Sequence, residues 1–214
     1  MTGAPPDLRT SPRPSWLGYD CRRRFVIGDW LAPSPARIRC NATRCNLDDA
    51  PGRYERWAFN DSGFFDTPAL AAREWTDSSQ DDSEPLLTYA FAMYPALFST
   101  SGVTTVSVDT VVGATLAKVE SPITHGFVFL GYDVLAVHAF ASVQPQGHQT
   151  AVAWSCSPLF CNLMAAEIQT NIYALIGNWN DAVSAAERFG KEEPEPGPYV
   201  IIGVWADAPP PIPL

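Results

Sequence analysis

LGYDV at 130–134, CSPLFCNL at 156–163, NDAVSAAERF at 180–189 and EPGPYVIIGVW at 195–205 set the frame for this chain, because a paler copy precedes them in the same order. The copy reads LGYDC at 17–21, CNATRCNL at 40–47, DTPALAAREW at 66–75 and PLLTYAFAMY at 85–94. Leu17 and Tyr94 are 94−17 = 77 positions apart, and Leu130 and Trp205 are 205−130 = 75 apart. Both units carry the pattern Cys-x4-Cys-Asn-Leu, which makes a chance match of LGYD alone a poor explanation. The expected fold is therefore α+β, an internal tandem duplication forming two pseudo-symmetric halves, each with strands, two helices and a closing strand. Two copies are too few to stack as a solenoid, so the halves are expected to sit as a fused pseudo-dimer.

Working outward, the expected organisation is a disordered arm at 1–15, a first α+β repeat at 16–95, a connecting β segment at 96–126, a second repeat at 127–206 and a Pro-rich tail at 207–214. The arm holds four prolines and little that is apolar. In 66–75, Asp66 or Thr67 is placed to cap a helix with Pro68 in its first turn, where the missing N–H is harmless. LLTYAFAMY at 86–94 and YVIIGVW at 199–205 read as apolar strands fit for a sheet interior, with 127–135 beside them in the core. Ser157 and Pro158 predict a helix running to about Gln169, and Asn180 predicts a second helix ending near Gly190. VTTVSVDTVV at 103–112 is rich in β-branched residues and reads as a strand of the connector.

Charge is uneven. The chain carries a formal net charge of −9. Residues 1–75 hold eleven arginines against nine acids, whereas residues 76–214 hold three basic groups against fourteen acids. An acidic balance of this kind opposes general binding to nucleic acid or anionic membrane. No run approaches the length a spanning helix needs, and the first residues lack an apolar signal core, so a cytoplasmic address is expected.

Chemistry-bearing residues are few. Cys40, Cys45, Cys156 and Cys161 could converge on one zinc as four thiolates, although a four-residue gap is long for such a site. Zinc is the one cofactor the sequence leaves open. A disulfide within each pair, a helix-terminal thiol of lowered pKa, and plain burial are the other readings, and plain burial is preferred. Asp20 and Asp133 recur in the two LGYD segments, as Asn46 and Asn162 do after the cysteines; short polar side chains at such boundaries usually serve the backbone. Arg22, Arg23 and Arg24 read as a solvated strand edge rather than a phosphate site. The acids of 76–84 lack the spacing and central glycine of a calcium loop. No catalytic or nucleotide-binding motif is present.

Two functions of different class follow. The favoured one is a non-catalytic acidic binding protein, an immunity or antitoxin-like inhibitor or a defence accessory, that masks a basic protein partner. Its expected contacts are Asp77, Asp81, Asp82 and Glu84 in one loop and Glu192, Glu193 and Glu195 in another. The rival is a small enzyme with a site in the groove between the halves, drawing on Cys156, His138 or Asp133.

Overall fold

The computed structural model of the chain describes residues 12–23, 26–27, 30–31, 60, 62, 64–76, 86–106, 119–139, 152–154, 158–161, 167–173, 175–194 and 197–208. Strands β1 (Ser15–Arg23), β2 (Val26–Ile27) and β3 (Trp30–Leu31) come first, then helix α1 (Pro68–Thr76), β4 (Leu86–Met93), β5 (Ala96–Ser99) and β6 (Gly102–Thr105). A 3-10 turn, Pro122–His125, leads into β7 (Val128–Ala139). After it come β8 (Val152–Trp154), a single helical turn at Pro158–Cys161, helix α2 (Trp179–Glu192) and β9 (Tyr199–Ala206).

Seven of these strands form one antiparallel sheet curled into a half-barrel. Its middle runs β1, β4, β9, β7; β5 follows β4 along β9, β6 pairs β5, and β8 pairs the far end of β7. β2 and β3 pair only with each other among the described residues. The centre falls to β4 and β9 because they are the strands apolar on both faces. All eight residues of β9 are buried. On one face Leu87, Tyr89, Phe91 and Met93 pack with Val200, Ile202, Val204 and Ala206. On the other, α1 lies against Tyr19, Cys21, Ala90 and Ala92, and α2 lies against Val134, Ala136, Tyr199 and Ile201.

Both outer strands bulge at a glycine. Gly18 (φ 137°) faces Phe91 and Gly131 (φ 148°) faces Val204, while Phe91 and Val204 pair with each other at the middle of the sheet. A methyl on Gly18 would come within 2.6 Å of the Phe64 Cβ and the Phe65 carbonyl; on Gly131 it would come within 2.8 Å of the Leu175 Cβ and 2.9 Å of the Ile176 carbonyl. Only glycine fits such a backbone so closely approached.

What approaches is a loop that closes each strand edge. The Asn171 side-chain amide donates to the Leu130 carbonyl (2.7 Å), and its oxygen accepts from the Tyr173 and Leu175 N–H groups (2.9 and 3.2 Å). Tyr132 and Ile176 then exchange two backbone hydrogen bonds, both 2.9 Å. Asn60 repeats the arrangement with the Leu17 carbonyl (2.9 Å) and the Ser62 and Phe64 N–H groups (3.1 and 3.2 Å), and Tyr19 pairs with Phe65. An open sheet edge is a template for stray strand pairing, and these loops occupy it.

The expectation of an α+β fold built as two halves, each with two helices, is overturned. The described chain is mostly strand, seven strands in one sheet with β2 and β3 apart, and has two helices of which one is long. Of the helix expected from Pro158 to about Gln169, Pro158–Cys161 is helical, and Glu167–Thr170 are not α-helical. The Ser157-Pro158 start signal is local, and by Asn171 the chain bonds the β7 edge at the Leu130 carbonyl. Thr67 does cap α1, accepting from the Leu70 N–H at 3.1 Å. The cap of α2 is Asn178 rather than Asn180: its side chain accepts from the Asp181 N–H at 2.9 Å. Nor is Gly190 a terminator. The helix continues to Glu192 and ends with Glu193 at φ 45°. Gly190 instead lets α2 sit on β5, since a methyl there would lie 2.9 Å from the backbone of Phe98 and Ser99.

Candidate functional site

The two helices cover diagonal parts of one sheet face, and between them runs a seam of aromatic rings. Its position follows from strand register. Tyr19, Ala90, Trp205 and Phe129 face one another across β1, β4, β9 and β7, and Trp16, Ala92, Gly203 and Tyr132 form the neighbouring row. The small residues at the middle leave room that the Trp205 indole fills, lying over Gly203, where an added methyl would come within 2.5 Å of the ring.

Trp205 meets Trp16 at 4.9 Å between ring centroids and Phe129 at 5.0 Å; Phe129 meets Tyr132 at 4.9 Å. Tyr132 and Tyr94 continue the seam to Trp179 at the start of α2. These tilted and edge-on pairs are favoured geometries for aromatic rings and hold one another rigidly. The seam reaches solvent at Phe129, which is 39% exposed. Beside it, Phe127 packs on Tyr19 at 5.6 Å, and the Tyr19 hydroxyl donates to the Glu120 carbonyl at 2.8 Å. His125 bonds the Glu120 carboxylate at 2.9 Å. Burial, reinforced by Glu120, pushes the Tyr19 phenol upward.

Most of the residues singled out from sequence lie outside the described residues. Cys161 closes the short helical turn; Cys40, Cys45 and Cys156 lie outside the described residues. No group of three or more His, Cys, Asp or Glu able to hold a metal occurs among the described residues. Cys21 is buried with its sulfur 3.3 Å from the Thr88 hydroxyl, and burial pushes the thiol up from 9.0 to about 12. It is a poor nucleophile at neutral pH.

Asp20 and Asp133 are both buried, on opposite outer strands with β4 and β9 between them, so they are not a catalytic pair. Asp133 accepts from the Val134 N–H at 2.8 Å. His138 stands opposite Ala153 on β7, and His148, Asn46 and Asn162 lie outside the described residues. So do Asp77, Asp81, Asp82, Glu84 and Glu195, with most of the arm, the 77–84 loop and the proline tail. Glu192 and Glu193 are described, both exposed at the end of α2.

The seam itself was missed by sequence reasoning. Its rings come from β1, β7, β9, the end of β4 and the start of α2, and only the folded sheet makes them neighbours. No helix among the described residues is long and apolar enough to cross a membrane. No family model, curated protein or solved structure matches the chain.

Proposed function

We propose that the chain is a non-catalytic binding protein that captures a basic protein partner in the cytoplasm, in the manner of an immunity or antitoxin-like inhibitor or a defence accessory. The observation that carries this reading is the division of α2. It buries Ala182, Ala185, Ala186 and Phe189 on the sheet while exposing Asp181, Glu187 and Glu192, with Glu193 exposed just beyond its end. Its Arg188 is engaged by Glu167 (2.6 Å) and Glu192 (3.1 Å), which leaves exposed Lys191 against Asp181, Glu187 and Glu193. A rigid, carboxylate-bearing face on a chain of net charge −9 steers a cationic partner and repels an anionic one.

The test is affinity capture from lysate followed by association kinetics on the captured partner. A basic protein should be retained, and its association should slow about tenfold or more as ionic strength rises from about 0.05 to about 0.3 M. Glu192→Lys with Glu193→Lys should weaken capture without altering the fold, because both residues are exposed and the one ion pair lost, Arg188–Glu192, is a surface pair of small worth. Capture that ignores salt and survives the double reversal would defeat the proposal.

A further inference from the structure

We propose that the solvent end of the aromatic seam, formed by Phe129, Phe127 and Asp207, is a socket for an arginine or lysine side chain of the basic partner. This rests on the binding reading above and assigns that partner a second anchor, away from the end of α2.

Three of the four exposed large apolar side chains among the described residues, Ile123, Val128 and Phe129, fall within residues 123–129. The stretch is held firmly. Gly126 and Phe127 donate backbone hydrogen bonds to Ile123 and Pro122 (3.3 and 3.2 Å), the Thr124 hydroxyl donates to the Ser121 carbonyl (2.7 Å), and β7 then pairs with β9. Phe129 is thus a fixed platform, its ring set against Trp205 and Tyr132 while 39% of the residue faces water.

Two carboxylates flank the stretch, Asp207 by strand register and Glu120 through His125. Asp207 is exposed, and its N–H donates to the Thr88 carbonyl at 3.0 Å, which extends the β4–β9 ladder by one step. That step sets Asp207 two residues from Trp205 on the same face, in the row after Trp205 and Phe129. Glu120, 49% exposed, stands at the other side beyond Phe127, tied to His125.

An apolar platform edged by acids selects its occupant. A neutral apolar side chain docked there would strip water from the carboxylates and give nothing back. An acidic one would be repelled. Arginine or lysine can lay its methylenes on the ring, hold its cation near the aromatic face, and bond the carboxylate.

Fluorescein-labelled hexa-arginine is the probe, with binding read by fluorescence anisotropy at low ionic strength. Phe129→Ala and Asp207→Asn should each weaken binding about five- to tenfold, and the double variant should lose less than the product of the two, because both groups grip one side chain. Phe129→Leu, which keeps apolar bulk but removes the ring, should also weaken binding and covers the case in which the alanine variant folds poorly. Wild-type affinity in Phe129→Leu and Asp207→Asn, or no binding of the probe to the native protein, overturns the socket. If Glu192→Lys with Glu193→Lys abolishes binding while the Phe129 and Asp207 variants do not weaken it, the socket falls and the binding reading stands. If the Phe129 and Asp207 variants weaken binding while the helix reversal is silent, the socket stands and the α2 face falls.

Discussion

Asn171→Ala removes three hydrogen bonds at once, and the structure gives a scale for the loss. The amide's bond to the Leu130 carbonyl is 2.7 Å long, and the bonds its oxygen accepts from Tyr173 and Leu175 are 2.9 and 3.2 Å. A protein hydrogen bond contributes about 0.5–1.5 kcal/mol net, and the groups left behind lie partly out of water, so the expected destabilisation is about 2–4 kcal/mol. With a urea slope of about 2 kcal/mol/M, the unfolding midpoint should fall by about 1–2 M. Urea titration followed by far-UV circular dichroism and tryptophan emission reads this directly. Asn178→Ala is the internal control: it deletes an exposed helix cap and should lose only about 1 kcal/mol. An Asn171→Ala loss under about 0.5 kcal/mol, or one smaller than the control's, would refute the edge-closing role of the loop.

Two further outcomes are expected. Gly203→Ala should displace the Trp205 ring from its bed, shifting tryptophan emission and costing about 1–3 kcal/mol; unchanged emission and stability would mean the ring does not lie where we place it. Cys21 should resist thiol reagents at pH 8 until the protein unfolds. Its folded pKa, about 12, lies above the ordinary 9.0, so the folded state holds the proton longer than the unfolded state. The stabilisation is complete below about pH 9 and is lost as pH climbs toward 12. Cys21→Val should flatten that part of the stability curve, and an unaltered curve would count against it.

Strands 86–94, 127–135 and 199–205 were legible because long apolar runs have few other uses, and α1 was legible because Thr67 and Pro68 act within one turn. The loops at 60–65 and 171–176 were not. Their asparagines acquire a role only from the carbonyls of Leu17 and Leu130, some forty residues earlier, although Asn60-x3-Phe64-Phe65 and Asn171-x3-Leu175-Ile176 share a spacing that could have flagged them. The length of the helix after Pro158 failed for the same reason, since a start signal says nothing about what the chain must reach next. Register, too, is a property of paired strands, which is why alternation alone could not set Phe129 beside Trp205 or Asp207 beyond them.

The middle position of β9 has a consequence for synthesis. Met93 of β4 pairs with Ile202, which the ribosome adds more than a hundred residues later, and β7 also waits some sixty residues for the same strand. During that interval β4 and β7 each present an unpaired, largely apolar edge, the condition under which nascent chains associate wrongly. Closure of the sheet is then a late, long-range event, slow in comparison with helix formation. A pause in translation between β7 and β9 would lengthen the exposure, and the nascent chain should depend most on chaperones over that span.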